Sequence, residues 1–598
     1  MNIFKEDVLD FRLNFKVIKK KRSGFFNFQT YNEETTILNN VRGTIQSNTL
    51  TAILGASGSG KTTLLAALSQ RIRDGVLSGE ILLNGEVMDR RKMTRISGFL
   101  AQSDVILDGI TVREHFYFMI EFKLPNLLSR EKKLLIKNSL VKFGLNENTK
   151  LKHLSSGEMR RLSLATELLT KPKILFVDEC TSGLDSFSAL SVINTLRELA
   201  ITNQKSQSRI VLMSIHQPTS EIFHLFTNII LMAAGRIIFH GTVKEVADLF
   251  NSMNLFCPSQ YNPCEFYVNS VADPRKCTKI VNFIASKDKC EYDDIHDNQS
   301  SSLSSETNLE DDKDYDKLSW LRQCQMISYR SILNFCRSPK QYLIELFILI
   351  LFSIVIMSVY FDISFESASN VQDIKGYLII LSTEILYTFT YAVFTLIYID
   401  LPLLRKETGN RLYSLSAYYF SLVVLMIPRV IFETILYTAI IYFATDVGRD
   451  ITTFFNIVFA ITLSGVCAMA YGFFLSGLFE SFFIATELSG IVDLILILVS
   501  GMYMNVKHVP LLKYISFFFY ANESIAIIFW TKVNTIKCHP NPEIQCFSNG
   551  TEVLENLGYG TTQFDLYMDY FYQFILTIIL HIFAFIGIKR NVTRSGFY

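Results

Sequence analysis

Apolar positions divide the chain into two regimes that meet near residue 340. Before that point they come in short runs. Residues 10–18 alternate apolar and polar, the period of a half-buried strand. Residues 50–55 form a short apolar run that enters a glycine-rich turn, and residues 62–70 continue at helical spacing. Two further apolar runs, 174–177 and 210–215, end on Asp178-Glu179 and on His216. Strands separated by helical stretches predict an α/β domain with a largely parallel sheet over 1–255. Its ligand belongs at the carboxyl ends of those strands. After residue 340 six long apolar runs follow, at about 341–361, 376–399, 421–443, 454–477, 482–503 and 566–588. Each is near the roughly 20 residues with which a helix crosses the hydrocarbon core. They predict an all-α transmembrane domain over 341–598, with a large outer loop at 504–565.

The stretch between the two regimes is of two kinds. Residues 256–317 read as a linker. From about 286 this linker is rich in Ser, Asp, Glu, Asn and Lys, too polar to bury a core and expected to be disordered. Residues 318–340 mix Trp320, Leu321, Ile327, Ile332, Leu333 and Phe335 with Arg322, Arg330 and Arg337. This pattern predicts an amphipathic connecting helix lying along the membrane surface.

Charge fixes an expected orientation. Arg330, Arg337 and Lys340 precede the first span, Arg405, Lys406 and Arg411 fall between the second and third, and Lys589, Arg590 and Arg594 follow the last. With six spans these groups share one side, the cytosolic one, so both termini are expected there. The charged start, Met1 to Asp7, has no apolar core and does not read as a signal peptide. A net charge of +1 gives no reason to expect nucleic acid as a partner. The ten cysteines are too few for a disulfide scaffold. Cys257, Cys264, Cys277 and Cys290 are too irregularly spaced, and too far from paired histidines, to suggest zinc. Cys538 and Cys546 lie in the outer loop, where oxidant is met, and are expected as a disulfide within or between subunits or as two free thiols. Asn549 opens a glycosylation sequon in the same loop. The sequons at Asn298, Asn522 and Asn591 are placed where they should stay unused.

The chemistry is concentrated in the first regime. Residues 55–62, Gly-Ala-Ser-Gly-Ser-Gly-Lys-Thr, match G-x-x-x-x-G-K-[ST] with a strand before and a helix after. Gly55, Ser57, Gly58 and Gly60 let backbone N–H groups converge on phosphate oxygens at a helix N-terminus. Lys61 is expected on the β- and γ-phosphates of ATP, Thr62 on Mg²⁺, and Thr63 beside them. The run Ile174–Val177 with Asp178 and Glu179 is a Walker B strand. Asp178 is expected to serve Mg²⁺, and Glu179 to polarise the attacking water.

Leu154-Ser155-Ser156-Gly157-Glu158 resembles the LSGGQ signature of ATP-binding-cassette (ABC) proteins. Gln102 after an apolar run, Ser182-Gly183-Leu184-Asp185 after Walker B, and His216 at a strand end follow in the family's order. The resemblance covers the whole ATPase domain. It implies a P-loop ATPase fold with an antiparallel β subdomain and a helical subdomain, and an ATPase coupled to transport. It also implies a head-to-tail dimer in which Ser155, Ser156, Gly157 and Glu158 meet the ATP held by a partner's P-loop. Gln102 would sense Mg²⁺ and water, His216 would hold the γ-phosphate, Asp185 would join the halves, and Tyr31 would stack on adenine.

Cassette-first order, six spans, Ser214-Ile215-His216-Gln217-Pro218 and the segment 261–267 resemble the G subfamily, or white–brown complex, of half-transporters. Tyr520 to Ser524, Trp530, the loop cysteines and Val553-Leu554-Glu555 resemble its eye-pigment group and sterol-handling relatives. The resemblance implies a second half-transporter as partner, a homo- or heterodimer in the bilayer, and a small amphipathic substrate such as a lipid, a sterol or a pigment precursor. The membrane implied is the plasma membrane or that of an intracellular vesicle or granule. An ATP-gated channel or regulatory cassette is the alternative. Two departures stand out: Ser156 replaces the usual first signature glycine, and Cys180 stands where proline usually follows the catalytic glutamate.

Carboxylates inside apolar spans are expensive and are expected to face protein or water. Glu384, near the middle of the second span, is expected on a substrate path. Glu433 follows Arg429 by one helical turn and is placed to pair with it. Glu487 and Asp493 lie in the fifth span.

Overall fold

Strands flanked by sequence buried on both faces form the centre of the first half, as a parallel sheet requires. The computed structural model describes residues 7–22, 30–72, 75–102, 107, 109–201, 209–288, 318–361, 370–445, 450–501, 512–536 and 547–594. The chain separates into two compact units, with the main division after Leu318.

The first unit contains β1 (Val8–Arg22), β2 (Thr30–Gln46), β3 (Thr49–Gly55), α1 (Lys61–Leu68), β4 (Val76–Leu83), β5 (Glu86–Val87), α2 (Arg90–Ile96) and β6 (Ser97–Leu100). There follow α3 (Val112–Lys123), α4 (Ser129–Phe143), α5 (Ser156–Leu168), β7 (Ile174–Asp178), α6 (Ser186–Ala200) and β8 (Ile210–Ser214). The unit continues with α7 (Ser220–Phe223), β9 (Asn228–Ala233), β10 (Arg236–Thr242), α8 (Val243–Ser252), α9 (Pro263–Ala272) and α10 (Pro274–Asp288). Two sheets result. A four-stranded sheet has the order β2-β1-β4-β5, with every pair antiparallel. A six-stranded sheet has the order β10-β9-β3-β8-β7-β6, parallel except for the β10–β9 pair. One core joins them: Leu9, Phe11 and Phe15 of the antiparallel sheet, Ile53, Phe176, Leu212 and Ile230 of the parallel sheet, and Leu64, Leu65 and Leu68 of α1. The predicted α/β domain with a largely parallel sheet is therefore present, together with the antiparallel sheet that the resemblance implied.

The boundary expected at 255 falls short. Residues 263–288 are the helices α9 and α10 rather than linker. Tyr267 of α9 packs on Phe223 and Phe250, with ring centroids 6.1 and 4.7 Å apart. α9 buries Cys264, Tyr267, Val268 and Val271 on one face. Most of the polar stretch from 286 lies outside the described residues.

The second unit holds α11 (Trp320–Arg337), α12 (Lys340–Val359), α13 (Val371–Gly409), α14 (Leu415–Ala444), α15 (Ile451–Leu478), α16 (Phe482–Leu498), α17 (Phe517–Trp530), α18 (Gly550–Leu557) and α19 (Gln563–Arg594). Among the described residues five helices are long and apolar enough to cross a membrane: α12, α13, α14, α15 and α19. The predicted fifth span is α16, which has 17 residues and is shorter than those five. The predicted outer loop needs correction, because α17 lies within it and every one of its residues is buried. The expected connecting segment contains the helix α11. Gln323, Cys324, Met326, Ile327 and Arg330 are buried on one face, while Trp320, Leu321, Tyr329, Ile332 and Phe335 are exposed.

Candidate functional site

Strand order assembles the site. β3 and β7 both pair with β8, in registers that set Ile53 and Asp178 opposite Ser214. The P-loop that follows β3 and the carboxylates that end β7 thus emerge at the same edge of the sheet.

The P-loop is shaped by its glycines. Gly55 has φ +157, and a Cβ there would lie 2.5 Å from the Met232 carbonyl oxygen. Gly60, with φ +100, adopts a left-handed turn as it caps α1, where a side chain would be strained. Lys61 is buried, and its ammonium donates to the carbonyls of Gly55 at 2.9 Å and Ala56 at 3.1 Å. Burial lowers the Lys61 pKa, opposed by the negative charges of Glu179 and Asp178.

Asp178 is the hub. It accepts from Thr62 Oγ1 at 3.1 Å and from Ser214 Oγ at 2.5 Å. Burial nevertheless raises its pKa above the usual carboxylate range, against the pull of those hydrogen bonds. Glu179, half-buried, has φ +43, an uncommon backbone for a residue with a side chain. The strain is held by Ser214, whose Oγ and carbonyl accept the Glu179 N–H at 3.0 and 3.2 Å. Gln102 Nε2 donates to Glu179 Oε2 at 2.8 Å. The structure therefore brings together Lys61, Thr62, Asp178, Glu179 and Gln102. Thr63 is buried within α1. The sequence names Ser214 only within the Ser214–Pro218 segment, with no role at the site. Its signal is its place at a strand end, two residues before His216. Cys180 is fully buried behind Glu179, and the positive φ lies at the glutamate that precedes it.

The signature begins α5. Ser155 is the N-cap in a reciprocal capping box: its Oγ accepts the Glu158 N–H at 3.2 Å, and Glu158 Oε2 accepts the Ser155 N–H at 2.9 Å. The Ser155 hydroxyl also donates to that carboxylate at 2.9 Å. These bonds from Ser155 hold the Glu158 pKa down. Ser156 is exposed at the first helical position. Gly157 is the position under steric demand, since a Cβ there would come within 3.2 Å of Ser188 Oγ on α6. Asp185 is the N-cap of α6 and accepts the Ser188 N–H at 3.0 Å. His216 follows β8 and is exposed. Tyr31 lies in β2, but its side chain is outside the described residues.

In the membrane unit the predicted pair forms. Arg429 Nε donates to Glu433 Oε1 at 2.7 Å, and Arg429 Nη2 adds Glu345 of α12 at 2.8 Å. Arg330 makes a bidentate pair with Glu407 at 2.7 and 2.8 Å, and Tyr413 OH donates to the same carboxylate at 2.5 Å. Glu384 is half-buried on α13, and Glu487 is exposed on α16. Asp493 is buried beside Tyr471. The sequon at Asn522 is sealed inside α17, and Asn591 Nδ2 donates to the carbonyls of Ser476, Gly477 and Phe479. Asn549 caps α18, its Oδ1 accepting the Glu552 N–H at 2.9 Å. Cys538, Cys546 and Asn298 lie outside the described residues.

A P-loop lysine, a Walker B pair and a capped signature helix on this sheet order define an ABC ATPase, here ahead of a unit of apolar helices. Comparison with known proteins agrees. The family model described as "ABC transporter" matches residues 38–182, and two models described as "ABC-2 type transporter" match 322–530 and 216–284. Protein brown of Drosophila melanogaster is 34% identical, covering 98% of this chain and 97% of that protein. Protein scarlet of the same organism is 32% identical over 88% of this chain and 82% of its own length. Protein white is 30% identical over 94% and 84%. The chain belongs to the G-subfamily half-transporters of the ABC family, and it is an ATP-hydrolysing membrane transporter.

Proposed function

We propose that the working unit pairs this cassette head to tail with that of a second half-transporter, identical or different, and moves a small amphipathic molecule across a bilayer. The pairing is supported by the signature: Ser155 and Ser156 are exposed at the start of α5, available to the ATP of another chain. Lys61 and the P-loop amides bind the phosphates of this chain's own ATP. Thr62 Oγ1 and Asp178, already 3.1 Å apart, suit a hard divalent cation, so Mg²⁺ is assigned there with Gln102 nearby. Bound Mg²⁺ offsets negative charge on the phosphates. Glu179 orients the attacking water, His216 holds the γ-phosphate and Asp185 joins the halves.

The substrate path is assigned to one face of α13. Glu384, Tyr387, Tyr391 and Thr395 are spaced at helical turns and half-buried, with Tyr387 and Tyr391 stacked at 6.1 Å. Such a face is too polar for lipid and suits a wet cavity. Kinship with brown, scarlet and white favours a planar pigment precursor over a sterol or a phospholipid. We further assign both termini to the cytosol, export away from it, a glycan to Asn549 and a disulfide to Cys538 and Cys546. The path is tested in reconstituted vesicles with Glu384→Gln. Basal ATP hydrolysis stays unchanged while stimulation by substrate shifts. Unchanged stimulation across sterols, lipids and pigment precursors would refute the assignment.

A further inference from the structure

Arg160 lies six residues past the start of the signature and is 5% exposed. It occupies the inner face of α5 with Gly157 and Leu164, a place that helical periodicity reserves for small or apolar side chains. Its guanidinium is spent on the other side of the site: Nη1 donates to the carbonyl of Ala101 at 2.8 Å, and Nη2 donates to the carbonyl of Gln102. A planar fork that bridges consecutive carbonyls fixes both the position and the direction of the backbone between them. The side chain of that same Gln102 holds Glu179 Oε2 at 2.8 Å.

We propose that Arg160 is a positioning residue that places Gln102 against Glu179 and makes that placement respond to the signature helix. The inference rests on the reading above, in which the signature serves the partner's ATP while Gln102 and Glu179 serve this chain's own. One rigid helix then carries both duties. Ser155 at its N-cap meets the partner's phosphate, and Arg160, five residues further on, grips the backbone of the residue that steadies the catalytic glutamate. A shift of α5 as it engages the partner's ATP moves Gln102 relative to Glu179. Arg160 thereby couples occupancy of one ATP site to turnover at the other. Two charge-assisted bonds from a buried guanidinium make a stiff link, whereas a lysine supplies one point charge and restores only part of it.

The test uses the purified full-length dimer in lipid vesicles, with ATP turnover normalised to folded protein. Arg160→Met keeps the length and apolar character of the side chain without the donors. It is expected to lower kcat about tenfold with KM for ATP within about twofold, and to remove cooperativity in ATP, because the losses fall on placement rather than on the P-loop. Arg160→Lys is expected between Arg160→Met and the parent. In a Gln102→Ala background Arg160→Met should cost nothing further, as two residues acting in series require. The proposal is overturned if kcat per folded molecule is unchanged, if cooperativity survives the loss of kcat, or if the Arg160→Met and Gln102→Ala effects simply multiply. The underlying dimer reading fails separately: the parent protein would then show no cooperativity, and Ser155→Arg would leave turnover intact.

Discussion

Asp178 and Lys61 carry opposite charges in the same small volume, and burial works against both. The carboxyl is raised and the ammonium lowered, each chiefly by loss of water. The sign of the resulting pH dependence follows. A raised carboxyl keeps its proton to a higher pH than an ordinary aspartate, and a protonated Asp178 is a poor partner for Mg²⁺. As pH falls from neutrality, the Mg²⁺ concentration for half-maximal hydrolysis should therefore rise, starting above the range of an unperturbed carboxylate. On the alkaline side a lowered Lys61 loses its charge early, so ATP affinity should weaken before a surface lysine would titrate. Titrating Mg²⁺ and ATP at a series of pH values reads both limbs. A Mg²⁺ requirement flat down to the ordinary carboxylate range would contradict the role of Asp178. Ser214 keeps this arrangement in place, bonded at once to the Asp178 carboxylate and to the Glu179 N–H.

At the scale of elements, the connecting helix is fastened by a buried ion pair. The Arg330 and Glu407 side chains are 5% and 3% exposed, and the pair is bidentate, with Tyr413 as a further donor to Glu407. Removing one partner of such a pair strands a buried charge, at about 3–5 kcal/mol. Glu407→Ala should thus lower the melting temperature of the detergent-solubilised protein sharply. Arg330→Met combined with Glu407→Met should recover most of the loss, because no charge is left unpaired. A double variant as unstable as Glu407→Ala would show that the pair is not the cause.

The same helix shows what the sequence made legible. The apolar and basic mixture of 318–340 announced α11, but nothing local announced that Arg330 turns inward to Glu407, 77 residues on. The P-loop, Walker B and signature were readable because backbone chemistry fixes their spacing. Arg160 and Ser214 were not, since their roles depend on which strands and helices become neighbours. In the sequence Asn522, Glu523 and Ser524 interrupt the apolar run of α17, which therefore falls inside the expected outer loop. The fold gives each of those side chains an internal bond: Ser382 donates to Asn522 Oδ1, the Gly560 N–H donates to Glu523, and Ser524 Oγ donates to the Tyr520 carbonyl.

For the whole molecule the chain is one cassette and one set of membrane helices, half of a machine. Its nucleotide motifs are present in a single copy, and Ser155 caps a helix whose exposed end is the surface that the proposed dimer would give to a partner. The P-loop lysine and both Walker B carboxylates are present, which is why turnover is expected of this half. The most direct measurement is steady ATP hydrolysis by the dimer purified from native membranes and reconstituted in lipid vesicles, with Glu179→Gln in this chain as the comparison. The account predicts sustained, Mg²⁺-dependent turnover that Glu179→Gln lowers by about 10²-fold or more while ATP binding persists. Turnover that Glu179→Gln leaves unchanged, or ATP binding with no turnover in the parent protein, would contradict it.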